Sequence, residues 1–224
     1  MHIPVLSVLL SPVWSHIIHA DETLLVAINH ANTCFLDQFL WNISAPAMWI
    51  PLYAVLTWCI VRRYGKNSIW IMLAFAACVG LSDYISSGII KPLAARPRPT
   101  HTEGIEELLH IVNGYHGGKY GFVSSHAANT MCCTLLFSLV WRNRISAISL
   151  SVWTALTCWS RMYLGAHYPA DILGGLIVGT TLALAGYLCL TRKKNILKQQ
   201  DYPPIYDRLP SITLLITLAV CCLI

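Results

Sequence analysis

The sequence predicts an all-α protein, a polytopic membrane bundle of about six transmembrane helices preceded by an N-terminal interfacial helix. Three observations predict it. Of 224 residues, 56% are hydrophobic and only 11% are charged, against about 25% charged in a soluble domain. The remaining charge is confined to short gaps between long apolar runs, as a bilayer requires of a chain that crosses it. Basic clusters recur in alternate gaps, the pattern of repeated crossing. The length suits one unit, so residues 1–224 are read as a single integral-membrane domain.

The elements follow in order. Met1 to Ala20 is apolar but has no Lys or Arg to form the basic start of a leader, so no cleaved signal peptide is expected. From Asp21 to Asn32, apolar Leu24, Leu25 and Ile28 alternate with polar Asn29, His30 and Asn32. That mix predicts an amphipathic helix lying at the interface, within an N-terminal segment 1–34; a soluble cap over the bundle is the alternative. Six uncharged runs then mark the spans: Gln38–Val61, Ser68–Ile90, His126–Trp141, Ile145–Ser160, Ile172–Leu190 and Pro210–Ile224. A crossing helix needs about 20 residues. The third and fourth runs reach that length by extending into their flanks; the sixth is the shortest. Asp83 interrupts the second run. A carboxylate inside a span is functional by default, and a nearby Arg is its expected partner.

Charge sets the orientation. Arg62, Arg63 and Lys66 form one cluster, Arg142 and Arg144 a second, and Arg192, Lys193, Lys194 and Lys198 a third. All three fall on one face, which the positive-inside rule makes cytoplasmic. Basic patches also serve nucleic acids, but these are separated by membrane-length segments, so no nucleic-acid partner is expected. The opposite face receives the 91–123 loop and the 161–171 turn. That loop carries Lys91, Arg96, Arg98 and Lys119, against the charge rule, and phosphate would account for them. Its second half, 113–121, is rich in Gly and Tyr, which fits a lid or a plain surface loop equally. The nine cysteines form no C-x-x-C pair and no zinc spacing with His. They are read as small hydrophobes. No metal, cofactor or obligate protein partner is expected.

Three polar blocks carry the chemistry. In Lys91-Pro-Leu-Ala-Ala-Arg96-Pro-Arg98-Pro99, the prolines stop the helix and stiffen the backbone. Stiff backbone holds Arg96 and Arg98 in fixed directions, which favours bidentate phosphate binding. A lipid-headgroup stop is the plainer reading of this block. In Val123-Ser124-Ser125-His126, a Ser before an apolar run signals an N-cap. The helix start then presents free N–H groups to an anion, with His126 in the first turn. In Ser160 to Asp171, Arg161 ends one span and Pro169 suits the first turn of the next. His167 and Asp171 lie four apart, so they share a face if that helix begins early. A carboxylate on one ring nitrogen fixes the tautomer and frees the other as nucleophile or base; a structural His–Asp bond is the plainer reading.

Taken together, the blocks resemble the signature of the type 2 phosphatidic-acid phosphatases, whose core is similar to that of vanadium haloperoxidases. The family pattern K-x6-R-P matches Lys91 and Arg98-Pro99, and S-R-x5-H-x3-D matches Ser160-Arg161, His167 and Asp171. The family's P-S-G-H appears as Val123-Ser124-Ser125-His126, with Val for Pro and Ser for Gly. The resemblance implies a metal-independent, two-step hydrolysis of a lipid phosphate. In it His167 attacks phosphorus, Asp171 orients His167, and His126 protonates the leaving oxygen. Lys91, Arg98, Ser124, Ser125 and Arg161 bind the phosphate, and Arg96 is a candidate for a second substrate charge. The implied substrates are undecaprenyl pyrophosphate, lipid A phosphate, phosphatidylglycerol phosphate or phosphatidic acid. The implied place is a bacterial inner membrane, with membrane lipids around the bundle and the site on the extracytoplasmic face. A vanadate-dependent haloperoxidase and a non-catalytic membrane protein with a residual anion site are the alternatives. The spans weigh against the first and the intact His126, His167 and Asp171 against the second.

Overall fold

The computed structural model describes residues 12–193 and 195–224, which form helices joined by turns and loops, with one isolated bridge between Pro97 and Tyr120. Among the described residues the longer helices are α1 (Pro12–His30), α2 (Cys34–Ser44), α3 (Ile50–Tyr64), α4 (Ser68–Asp83), α5 (Ser125–Trp141), α6 (Arg144–Tyr163), α7 (Pro169–Arg192) and α8 (Leu209–Leu223). The apolar runs from 126 onward therefore each became one helix within a few residues of their expected ends. Much of the reading of Met1 to Ala20 as an uncleaved segment lies outside the described residues.

The first run did not stay whole. Expected as one span over Gln38–Val61, it breaks between α2 and α3. Ala45 is extended (φ −79°, ψ 118°), and a 3₁₀ turn over Pro46–Trp49 leads into Ile50. Pro46 and Pro51 each sit in the first turn of their element, where a missing N–H costs nothing. Farther back in a continuous helix each would remove a bond and clash. The second run holds together: α4 passes through π-helical turns at Tyr84–Ile90 and a last turn at Lys91–Ala94, ending at left-handed Ala95.

Pro46–Ala94 and Pro169–Arg192 each contain 18 consecutive residues apolar enough to cross a membrane, of mean hydropathy 1.7 and 1.9, and α8 is a shorter apolar helix. Ile148, Leu173, Ile177, Leu215 and Ile216 are exposed on the outside of the bundle. The core centres on α5 and takes in buried residues of α2, α3, α4, α6, α7 and α8; Phe137, Trp141 and Trp153 are fully buried in it. A hydrogen bond of 2.8 Å joins Thr134 and Thr154 inside it.

Helices α5 and α7 approach so closely because α7 presents Gly175 and Gly179 to α5. A Cβ on Gly175 would strike the Ser124 carbonyl, and one on Gly179 the Ala128 carbonyl. Backbone cannot step aside as a side chain can. Gly179→Leu is therefore expected to lose about 1–3 kcal/mol or more by overpacking, read as a lower thermal midpoint in detergent. Gly80→Ala, where nothing lies within 4 Å of the new Cβ, should not lower it.

The three basic gaps meet at one end of the bundle. Arg63 donates to the Trp141 carbonyl at 2.6 Å, and Asn67 to the Asn195 carbonyl at 2.8 Å. The polar blocks meet at the other. There α1 packs on α6 and α7, and buried Asn29 donates to the carbonyls of Tyr163 (2.7 Å) and His110 (3.0 Å). The helix expected over Asp21–Asn32 runs instead from Pro12 to His30, and it is tied to the loop above the site.

Candidate active site

Each block is held by local structure. Lys91 begins the final turn of α4. Beyond it, Arg98 N–H donates to the Lys119 carbonyl (3.0 Å) and Gly121 N–H to the Arg96 carbonyl (2.9 Å). That short clasp folds the long loop back on itself. Ser124 caps α5 and takes the Ala127 N–H on its Oγ. The N–H groups of Ser125 and His126 then fall in the first turn, without intrahelical acceptors. Arg161 lies in the last turn of α6. Gly165, at φ +63°, takes the left-handed turn that glycine adopts without strain, and His167 follows in the turn before α7.

Lys91, Arg98, Ser125, His126, Arg161 and His167 line one cavity of about 570 Å³. Ser124 and Asp171, the other two expected site residues, lie behind its wall, both fully buried. Ser124 thus serves as a helix cap in this structure. His167 is only 1% exposed. Its Nε2 is 3.2 Å from Arg98 Nη1, and its Nδ1 is 3.4 Å from Asp171 Oδ2, at ion-pair range but outside hydrogen-bond geometry. Burial first, and then the charges of Arg161, Arg98 and Lys91, hold His167 well below its ordinary value. The ring is therefore neutral, as a nucleophile must be. Helix α7 does not begin early enough to include His167. The pairing with Asp171 comes from the turn, not from one helix face.

Asp171 is held by hydrogen bonds from two directions. Its Oδ2 accepts the Tyr168 N–H (3.0 Å), and its Oδ1 accepts from Arg96 Nη1 (2.9 Å). Arg96 Nη2 donates to Asp21 Oδ2 of α1 at 2.6 Å, and its guanidinium stacks over the Tyr168 ring at 4.1 Å. Asp21 Oδ1 in turn accepts the Ala170 N–H at 2.8 Å. This corrects the expectation that Arg96 is free for a second substrate charge: both faces of its fork are engaged, and it lies outside the cavity lining. A Cβ on Gly121 would come within 2.7 Å of Asp171 Oδ2, so that glycine leaves room for the carboxylate.

The cations are fixed as well. Arg161 donates to Ser44 Oγ and to the Tyr115 hydroxyl (2.9 Å). Tyr115 comes from the Gly- and Tyr-rich loop, which therefore contributes to the cavity wall. Lys91 Nζ donates to Ser125 Oγ at 2.9 Å, and Ser87 Oγ lies 2.8 Å from the same oxygen. The Ser that replaces the family's Gly thus supplies a lysine anchor. Arg98 Nε and Arg161 Nε are buried without a hydrogen-bond partner among the described residues. Asp83 does not meet an Arg as expected: its Oδ1 accepts from Asn129 Nδ2 at 3.2 Å. Nothing in the sequence pointed to Asp21, Ser44 or Ser87, which come from elements far from the blocks they serve.

The chain is 32% identical to a lipid A 4'-phosphatase of Bacteroides thetaiotaomicron, over 71% of this chain and 72% of that protein. It is 33% identical to a lipid A 4'-phosphatase of Porphyromonas gingivalis, over 73% and 70%. A putative undecaprenyl-diphosphatase of Escherichia coli is 32% identical over 58% and 61%. Among solved structures, a transmembrane PAP2 type phosphatidylglycerolphosphate phosphatase from Bacillus subtilis superposes with a TM-score of 0.62 at 20% identity. That match covers 84% of this chain and 91% of the other. Residues 68–195, which hold all three polar blocks, match the PAP2 superfamily, and the chain belongs to that family.

Proposed function

We propose that this membrane protein is a lipid-phosphate phosphatase acting through a phosphohistidine on His167, and that a lipid A-type sugar phosphate is its substrate. One observation carries the reading. A buried, neutral His167 backed by Asp171 lies in a cavity lined by Lys91, Arg98 and Arg161. Phosphoryl transfer needs little beyond positioning and charge stabilisation, and this cavity offers both. The relatives with the broadest coverage support the sugar phosphate by their names.

The steps follow from the groups present. Phosphate oxygens enter among Lys91, Arg98, Arg161 and the first-turn N–H groups of α5, satisfying the unmatched Arg98 Nε and Arg161 Nε. They draw Arg98 Nη1 away from His167 Nε2, whose lone pair then forms the P–N bond. The P–O bond to the lipid breaks, and its oxygen takes a proton from His126. Asp171 stabilises the charge that forms on His167. Water, deprotonated by His126, then attacks phosphorus, breaks the P–N bond and releases phosphate. The helices α3 to α8 serve as the crossings of a bacterial inner membrane. The cavity opens at the extracytoplasmic face, and α1 lies along that face.

The test is phosphate release from a panel of lipid phosphates in detergent. Release from an acylated glucosamine 4-phosphate, undiminished by EDTA, is expected; a strict Mg²⁺ requirement would sink the mechanism. The same assay probes the clamp on Asp171. Arg96→Ala should lower kcat about tenfold to a hundredfold, the usual cost of losing a group that orients a catalytic residue, with KM little changed. Arg96→Lys should recover part of it, and Asp21→Asn should act in the same direction more weakly. A rise in KM alone would instead mean that Arg96 binds substrate.

A further inference from the structure

The wall shared by α4 and α5 changes character with depth. Around the phosphate position it presents Lys91, Ser87, Ser125 and His126. Next come Asp83 on α4 and Asn129 on α5, joined by their 3.2 Å hydrogen bond and both lining the cavity. Beyond them runs an apolar groove of about 270 Å³, walled by Met72, Phe75 and Val79 of α4, Cys133 of α5, and Leu56 and Ile60 of α3. Cavity and groove share Tyr53, Val79 and Asn129 in their walls, so they adjoin. The order is cation, then uncharged and acidic acceptors, then hydrocarbon.

We propose that Asp83 and Asn129 form a leaving-group subsite that accepts hydroxyl or amide N–H donors, selecting phosphomonoesters of polar, hydroxylated lipid headgroups over prenyl phosphates and diphosphates. The proposal rests on the phosphatase reading and deepens it. Asn129 lies one turn past His126 on α5, about 4.5 Å along the axis. With the departing oxygen on His126, the next few atoms of the leaving group lie beside the pair. What the pair offers them is acceptors. Asn129 Oδ1 is shielded and has no hydrogen-bond partner among the described residues. Asp83 makes no ion pair among them, and its Oδ1 receives the Asn129 amide.

The complement of such a pair is a donor. A sugar ring or an acylated amino sugar carries hydroxyl and amide N–H groups at this distance from its phosphate. A prenyl phosphate carries methylenes, which would leave the shielded Asn129 Oδ1 unpaired and offer Asp83 no donor, at a cost. A diphosphate would bring a second anion against the Asp83 carboxylate, and like charges at short range repel strongly outside bulk water.

The experiment compares kcat/KM in detergent for three probes: an acylated glucosamine 4-phosphate, a prenyl monophosphate and a prenyl diphosphate. Wild type, Asp83→Asn, Asp83→Leu and Asn129→Leu are each assayed on all three. Ratios are taken within one preparation, so misfolded protein cancels. Wild type is expected to favour the sugar phosphate over the prenyl monophosphate by about tenfold or more. Both leucine variants should cut that ratio about tenfold to a hundredfold. Asp83→Asn, which keeps hydrogen bonding and drops the charge, should raise use of the diphosphate relative to the prenyl monophosphate. Should the leucine variants lose all activity, that last ratio decides. A wild type that prefers prenyl monophosphate, or variants that change all three probes alike, would overturn the subsite while leaving the phosphatase reading intact. A wild type that releases phosphate from none of them would defeat both.

Discussion

His167→Ala is expected to leave no covalent phosphate on the protein and to lower kcat by about 10⁴-fold or more, the scale seen when a covalent nucleophile is removed. The size of the effect follows from the site. His167 is the imidazole held between Asp171 and Arg98, with its Nδ1 toward the carboxylate and its Nε2 toward the cations. No side chain among the cavity's cations can replace a neutral nitrogen, because Lys91, Arg98 and Arg161 bind by being charged. A labelled lipid phosphate, quenched during turnover, should mark wild type with an acid-labile, base-stable phosphate and leave the variant unmarked. Vanadate or phosphate should still raise the variant's thermal midpoint, because the cations and the α5 N-terminus remain. That result separates lost chemistry from lost folding. Labelling that persists in His167→Ala would sink the assignment.

Much of this site was legible in the sequence because its parts are local. Lys91 to Pro99 and Arg161 to Asp171 are short segments whose spacing is fixed by a helix end and a tight turn. Ser124 announced a helix start by being a Ser before an apolar run. The later helices were legible for the same reason: each is one uncharged run bounded by charge. The first run failed as a single span because hydropathy does not register that Pro46 and Pro51 must sit at helix starts. The remainder was hidden by sequence distance. Arg96 joins Asp171 and Asp21, each 75 residues away, and Arg161 reaches Ser44 across 117. Such pairs are made by packing, and no periodicity marks them. Arg96 was visible as a cation in a phosphate-binding block. Its use as a clamp appears only once α1 is laid against α6 and α7.

His126→Ala is expected to cost about 10²–10⁴-fold in kcat on a lipid phosphate, the usual worth of a positioned acid–base group, and the loss should depend on the leaving group. A sugar or lipid alkoxide is a poor leaving group and needs the proton His126 supplies, so formation of the P–N bond becomes limiting and little phosphoenzyme builds up. With p-nitrophenyl phosphate the departing oxygen is stable without a proton. His167, untouched in this variant, then forms the phosphohistidine at close to its normal rate. The second step still requires a base to activate water, and that base is the same missing imidazole. The labelled intermediate should therefore accumulate on the aryl substrate and turn over slowly. A burst of nitrophenolate equal to the enzyme concentration, followed by a slow phase, is the expected record. Absence of the burst, with phosphoenzyme formation slowed as much on the aryl substrate as on the lipid phosphate, would remove His126 from the leaving-group side, because a residue that only shapes the cavity has no means of sensing which oxygen departs.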